Sequence, residues 1–183
     1  MGTIFKTATD FRKSLESRLQ TISERSNIDL QRLRRKVAFD RLLARIFSQK
    51  QCNFILKGGY AMELRIGQAR ATKDIDLTCV RRIKNKNEQL NELILQELQV
   101  LGAVDLKDYF IYQIGKAQID LENAPYGGAR YPVTATIDRK LFIRFQLDIG
   151  ADIIINRIEN IQGVNWLEFC DISSPIIPMI SIE

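Results

Sequence analysis

The segment around Lys57 carries backbone groups that can bind phosphate. Lys57-Gly58-Gly59 follows the apolar residues 54–56 and precedes apolar residues at helical spacing. A strand is therefore expected to turn sharply into a helix whose first backbone amides are free. Free amides at the start of a helix bind phosphate groups. Taken alone, a Gly-Gly pair of this kind is more often only a tight turn.

A second segment carries two carboxylates, Asp74 and Asp76, directly before the apolar residues 77–80. On a strand, side chains two positions apart lie on the same face, so these two groups are expected to be neighbours. Neighbouring carboxylates repel each other unless a cation lies between them, and Mg²⁺ prefers such oxygen ligands. An Asp-x-Asp pattern alone is usually a solvated strand end or a helix cap. The order of strand, Gly-Gly turn, helix and acidic strand favours nucleotide and metal binding together.

The elements that hold these segments follow from the spacing of apolar residues. Helical spacing predicts amphipathic helices over residues 7–25, 30–48, 59–66 and 86–101. Alternating or continuous apolar residues predict strands over residues 53–56, 74–80, 110–114, 117–121, 131–138 and 141–149. The last residues, 173–183, are rich in Pro and Ile and are expected to form an extended connection. These elements predict helices packed on a small sheet that has the acids on its open face.

The composition limits the class of protein. A chain of 183 residues with 45% hydrophobic and 27% charged residues is typical of one soluble globular domain. No stretch approaches the ~20 apolar residues that cross a bilayer, and the first residues have no signal-peptide core, so a cytoplasmic protein is expected. The complete absence of histidine argues against triad hydrolases and most zinc sites. The three widely spaced cysteines are expected to be buried thiols.

The positive charge is concentrated in two places. The net charge of +5 and a pI of about 9.2 are compatible with a polyanionic partner. A solvated outer face is the simplest interpretation of these clusters, and contact with nucleic-acid phosphates is the alternative. One cluster lies on the second helix and the other follows the acidic strand; they consist of Arg32, Arg34, Arg35, Lys36, Arg41 and Arg45, and of Arg81, Arg82, Lys84 and Lys86.

The two chemical segments together resemble a known family. Lys57-Gly58-Gly59, followed by the pattern Arg70-x-Thr72-x-Asp74-x-Asp76-Leu77, is similar to the AbiEii/AbiGii toxin family of nucleotidyltransferases. The resemblance extends to the Arg-rich helix at residues 33–47 and to the later segments 126–131 and 146–150, and so spans most of residues 30–183.

This resemblance implies an α+β, polymerase-β-like nucleotidyltransferase fold with a small mixed sheet. It implies one domain over residues 1–183, with N-terminal helices at 1–50, a catalytic core at 51–170 and an extended tail at 171–183. Asp148 would join the two other acids if its strand lies beside theirs; Asp152 is a competitor that is more simply a turn residue. The implied catalytic and metal-binding residues are Asp74, Asp76 and Asp148, and the implied nucleotide-binding residues are Lys57, Gly58, Gly59, Arg70 and Thr72.

The activity that the resemblance implies is Mg²⁺-dependent transfer of a nucleotide from an NTP to an acceptor. The acceptor would be a tRNA 3′ end, and the protein would be toxin-like or antiphage, with a cognate antitoxin as a partner. The alternatives are a catalytically silent nucleotide- or RNA-binding module and an enzyme that modifies protein hydroxyls. Family members continue into a helix with an Ala-Glu-Lys motif and a further helical region. Without these, the chain is expected to bind NTP and Mg²⁺ but to transfer slowly and to self-associate.

Overall fold

A computed structural model describes residues 4–67, 71–80, 88–120, 128–150 and 157–181. In these residues two helices come first, helices and strands then alternate up to the fourth helix, and strands predominate after it. The helices are α1 (Ala8–Ser26), α2 (Leu30–Ile46), α3 (Gly58–Ile66) and α4 (Glu88–Gly102). The strands are β1 (Phe54–Lys57), β2 (Asp74–Cys79), β3 (Phe110–Ile114), β4 (Ile119–Asp120), β5 (Gly128–Ile137), β6 (Lys140–Gly150), β7 (Ile158–Gln162) and β8 (Ile176–Ile180).

The strands form one mixed sheet in the order β3-β5-β6-β2-β1-β8-β7, with the short β4 paired to β5. The β2–β6 and β1–β8 pairs are parallel, and the remaining pairs are antiparallel. Since the two parallel pairs lie on either side of the β1–β2 pair, the strands that carry the candidate residues are central. The expected α+β fold with a mixed sheet and packed helices is confirmed.

The first two helices are fixed at their starts by side-chain caps. Thr7 accepts a hydrogen bond from the Asp10 amide at the start of α1, and Asp29 accepts one from the Arg32 amide at the start of α2. The apolar stripes of both helices are buried against the sheet. Phe39 of α2 packs edge-on against Tyr60 of α3, with ring centroids 4.9 Å apart. This packing fixes α3, and with it the Gly-Gly turn, relative to the sheet.

The hairpin between β5 and β6 sets the register of the two longest strands. Its turn residues, Asp138 and Arg139, both have positive φ, at 54° and 57°. Two consecutive positive-φ residues make a turn of type I′, whose twist matches that of the flanking strands. A β-bulge between Ala135 and Thr136 then shifts the register by one residue, and beyond it Arg130 of β5 lies directly opposite Asp148 of β6.

The end of the chain differs from the extended connection that the sequence predicted. Residues Ile176–Ile180 form β8, which lies between β1 and β7. The side chain of Arg65 donates to the Ile180 carbonyl at 2.5 Å and so ties α3 to this strand. Pro178 disfavours a strand within a sheet, which is why the sequence pattern did not indicate one.

None of the helices in the described residues is both long enough and apolar enough to cross a membrane. The three cysteines are free thiols; two are buried and Cys52 is half-buried.

Candidate active site

The three candidate acids lie on two adjacent strands. β2 and β6 pair in parallel, with Asp76 opposite Asp148 and Asp74 opposite Gln146. Residues that face each other across neighbouring strands lie on the same face of the sheet, so the three carboxylates share one face. This is the adjacency that the role expected for Asp148 requires. The sequence alone could not give it, because 71 residues of chain separate Asp76 from Asp148 in the numbering (positions 77 to 147).

The Gly-Gly turn lies directly against this acid cluster. Gly58 has φ of +69°, and a Cβ there would lie 2.7 Å from Asp76 Cγ. A Cβ on Gly59 would lie 2.9 Å from Thr72 Oγ1. A side chain at Gly58 or Gly59 would therefore have to displace Asp76 or Thr72, and at Gly58 the positive φ disfavours a side chain as well. The turn must be Gly-Gly for β1 and α3 to approach β2 this closely.

The start of α3 already binds a carboxylate, that of Asp76, in this structure. Lys57 is the N-cap of α3 but its side chain makes no cap hydrogen bond. The Gly59 amide donates to Asp76, which lowers the pKa of that carboxyl against the larger effect of burial. Thr72 donates from Oγ1 to the Asp74 carbonyl at 3.2 Å and so holds the backbone in front of the turn. Lys57 is the register partner of Asp76, and its charge acts on Asp76 in the same direction.

Two of the sequence-predicted positions fall outside the residues that the structure describes. These are Arg70, expected to bind phosphate, and Asp152, the competitor of Asp148. The second basic cluster, residues 81–86, also falls outside them. Their expected roles remain predictions from the sequence.

Arg130 is the site residue that the analysis of motifs did not single out. Its Nε donates to Asp148 Oδ1 at 2.8 Å and its Nη2 donates to Asp148 Oδ2 at 2.7 Å. Nη2 also lies 3.7 Å from Asp74 Oδ2. The only signal in the sequence was its place in the segment 126–131, since its partner became identifiable only from the strand register.

The pKa values of Asp74, Asp76 and Arg130 reflect both burial and the charges of their neighbours. Burial raises the pKa of Asp74, with a further rise from Asp148, while Arg130 opposes both. Burial and then the charge of Asp148 raise the pKa of Asp76. The hydrogen bond to Asp148 raises the pKa of Arg130. Burial and a neighbouring carboxylate thus disfavour the charged forms of Asp74 and Asp76, and a cation bound between the acids would offset this effect.

The ligand chemistry of the cluster suits Mg²⁺, which is bound by carboxylate oxygens. Among the residues that the structure describes, no three acidic or cysteine side chains converge as a metal site, and Arg130 occupies both oxygens of Asp148. A further polar atom lies beside the acids, because Gln146 is the register partner of Asp74 and its buried Oε1 has no hydrogen-bond partner in the described structure. Asp74, Asp76 and Asp148 could hold the metal once Arg130 leaves Asp148.

The basic residues of α2 do not form a single face for nucleic acid. Arg41 and Arg45 are buried, at 4% and 1% exposure, and both bind Asp108. The expectation that these two contact RNA phosphates is wrong, because a buried ion pair leaves them no access to a partner. Three of the four remaining basic residues of the helix pair with acids of neighbouring helices: Arg32 and Lys36 with Glu63, and Arg34 with Glu16.

Arg35 is the residue of this cluster that acts on the candidate site. Its charge lowers the pKa of Asp74, against the larger effect of burial. The positive charge of α2 is thus divided between contacts with acids of the fold and the acid cluster.

Comparison with known proteins identifies the family of most of the chain. Residues 41–183 match the family described as nucleotidyl transferase AbiEii toxin, type IV TA system. No curated protein matches the chain significantly. Among solved structures, MenT4, a nucleotidyltransferase toxin from Mycobacterium tuberculosis H37Rv, is similar with a TM-score of 0.57 and 14% identity, covering 84% of this chain and 50% of MenT4. JHP933 from Helicobacter pylori is similar with a TM-score of 0.50 and 16% identity, covering 85% of this chain and 54% of JHP933.

At these identities the likeness concerns the fold, which is that of nucleotidyltransferase toxin structures. The chain spans about half the length of the two solved structures, at 50% and 54% of their residues.

Proposed function

The chain belongs to the AbiEii family of nucleotidyl transferase toxins of type IV toxin–antitoxin systems, and we propose that it transfers a nucleotide from an NTP to an acceptor hydroxyl with Mg²⁺ as cofactor. The hydroxyl oxygen bonds to the α-phosphorus and loses its proton, while the bond to the β-phosphate breaks and pyrophosphate leaves. The observation that carries this proposal is the register of β2 and β6. It brings Asp148 beside Asp76, directly under the Gly-Gly turn. The Gly-Gly turn, proposed to bind phosphate, and the carboxylates, proposed to bind metal, are thus within one side chain's length of each other.

In the proposed reaction, Asp74, Asp76 and Asp148 hold Mg²⁺ on the open face of the sheet. When bound, the metal neutralises charge on the phosphoryl oxygens and lowers the pKa of the attacking hydroxyl. The carboxylates fix its position because their strands are paired and their backbone cannot shift independently. Asp148 is buried at 8% exposure, which limits the access of competing water.

The residues around the Gly-Gly turn bind the triphosphate in this proposal. The amides of Gly58 and Gly59 would donate to the β and γ phosphates at the start of α3, where the helix dipole also favours an anion. The Gly59 amide, which donates to Asp76 in this structure, would exchange that carboxylate for a phosphate oxygen. Thr72 holds the start of β2 against the Gly-Gly turn. Lys57 supplies a cation at the N-cap position, and Arg70 is assigned to phosphate on the family resemblance alone.

For the acceptor we propose a tRNA 3′ end, and for a further partner a cognate antitoxin; both rest on the family. The experiment is to incubate the purified chain with each NTP, Mg²⁺ and either bulk tRNA or cellular protein, and to measure the mass of both acceptors. A mass increase of one or more nucleotides on tRNA supports the proposal. An increase on protein alone would move the acceptor to protein hydroxyls. NTP binding without any transfer would make the chain a binding module.

A further inference from the structure

The cation that holds Asp148 in this structure is a side chain of the chain itself. Arg130 and Asp148 are register partners on β5 and β6, and Asp148 and Asp76 are register partners on β6 and β2. The guanidinium therefore lies in the same row of side chains as the acids. Both oxygens of Asp148 accept from it, at 2.8 and 2.7 Å, and its Nη2 reaches to within 3.7 Å of Asp74. A metal that binds Asp148 must compete with Arg130 for these oxygens.

The surroundings of this ion pair permit that exchange. The side chain of Arg130 is 32% exposed, so water can replace Asp148 as its partner. Within the described residues, the carboxylate of Asp148 accepts hydrogen bonds from Arg130 alone. The Arg45–Asp108 pair, in contrast, is not free to exchange its partners. Its side chains are 1% and 0% exposed, and it is fixed further by Arg41 and by the amide and carbonyl of Phe110.

A released Arg130 guanidinium would remain next to the acid cluster because its Cα is fixed in β5. It carries a planar set of donors that matches two oxygens of a phosphate as well as it matches a carboxylate. A nucleotide that arrives with the metal would place phosphate oxygens within its reach. The same side chain can thus neutralise the acids before binding and the phosphates after binding.

We propose that Arg130 is an exchangeable cation of the site: it binds Asp148 in the metal-free protein, gives up that carboxylate when a divalent cation binds, and then binds a phosphate of the NTP. This inference rests on the proposed function. In this role Arg130 makes metal binding weaker and nucleotide binding tighter. A residue that only supports the structure would act on both in the same direction.

The test measures the two affinities separately by isothermal titration calorimetry. Mn²⁺ is titrated into the full chain without nucleotide, and an NTP analogue with a non-cleavable α,β-methylene bridge is then titrated at saturating Mn²⁺. For Arg130→Gln we expect Mn²⁺ to bind about tenfold more tightly, because the competing cation is gone. We expect the analogue to bind roughly tenfold more weakly, because a charge-assisted bidentate contact is lost. Arg130→Lys, which keeps the charge without the planar fork, should shift both affinities less.

The matched control is Arg144→Gln, which removes an exposed arginine from β6, the strand that carries Asp148. It should leave both affinities unchanged. Unchanged or weaker Mn²⁺ binding in Arg130→Gln would overturn the exchange, and so would undiminished analogue binding. Asp76→Asn separates this result from the proposed function, since it should abolish Mn²⁺ binding whatever Arg130 does. If the unaltered chain binds no Mn²⁺, the proposed function and this inference both fail.

Discussion

Arg130 and Asp148 face each other across β5 and β6, and the guanidinium donates to both carboxylate oxygens from Nε and Nη2, at 2.8 and 2.7 Å. Arg45 and Asp108 form a second pair of the same chemistry in the core, at 3.0 and 2.5 Å. Both pairs are bidentate, but Arg130 donates from Nε and Nη2 whereas Arg45 donates from Nη1 and Nη2. The side chains of the first pair are 32% and 11% exposed, and those of the second are 1% and 0% exposed. The buried Arg45–Asp108 pair is therefore structural, whereas the more exposed Arg130–Asp148 pair can exchange its partners for ligands.

The two aspartates should therefore respond differently to removal. Asp108→Ala leaves two arginines buried without a partner and should lower the free energy of unfolding by about 3–5 kcal/mol. Asp148→Ala frees only a half-exposed arginine and relieves repulsion with Asp74 and Asp76, so we expect a change below about 1 kcal/mol. Urea unfolding of the two variants measures the difference. Equal losses would mean that the Arg130–Asp148 pair is structural.

Gly58 should tolerate no side chain. Gly58→Ala introduces a Cβ 2.7 Å from Asp76 Cγ at a φ of +69°, so it should displace the carboxylate and abolish nucleotide transfer. Gly67→Ala is the control, because Gly67 also has a positive φ, +70°, but no atom of the described residues lies within 4 Å of the added Cβ. Both variants should lose about 1–2 kcal/mol of stability from backbone strain. Transfer should survive only in Gly67→Ala, and loss in both would assign the effect to strain.

The sequence was sufficient for the segments whose signals are local. The Gly-Gly turn and the Asp74-x-Asp76 strand depend on residues within one turn or strand, and the structure places both elements close to their predicted bounds. The pairing of β8 with β1 is not local, since it joins residue 56 to residue 179. No residue pattern within β1 or β8 indicates which strand it pairs with.

The charged residues show the same limit. Arg41 and Arg45 follow Val37 at intervals of four residues, so they lie on the buried side of α2, and this spacing was a signal against an outer face. The partner that makes their burial possible, Asp108, is 67 residues from Arg41 and 63 from Arg45. Arg130 was likewise invisible as a site residue until the hairpin register placed it opposite Asp148.

The buried carboxyl of Asp40 should make stability depend on pH. Burial raises its pKa from 3.8 to about 6, against the hydrogen bonds from Tyr60 and the Val164 amide. A carboxyl with a raised pKa in the folded state contributes stability that is full below about pH 4 and is lost as the pH rises through about 6. The loss for this shift is about 2–3 kcal/mol.

The measurement is the difference in unfolding free energy between the unaltered chain and Asp40→Asn from pH 4 to 7.5. This difference removes the contributions of the other titrating groups. The unaltered chain should lose stability relative to Asp40→Asn as the pH rises through about 6. A difference that stays constant, or that changes in the opposite direction, would contradict the raised pKa.

Removing one acid of the cluster should separate activity from stability. The pKa of Asp74 is raised by burial and by its neighbour Asp148, so Asp74→Asn relieves unfavourable charge in the metal-free protein. We expect its melting temperature to equal or exceed that of the unaltered chain, while transfer is lost. A large drop in melting temperature would show that Asp74 is needed for the fold.

The measurement that most directly tests the metal-dependent transfer is incorporation of label from α-³²P-labelled NTPs into RNA or protein, with and without Mg²⁺. It compares the unaltered chain with Asp76→Asn, whose amide keeps the size of the side chain but weakens metal binding. The account predicts incorporation by the unaltered chain that EDTA abolishes and that Asp76→Asn lacks at every Mg²⁺ concentration. Undiminished incorporation by Asp76→Asn, or incorporation that persists in EDTA, would contradict it.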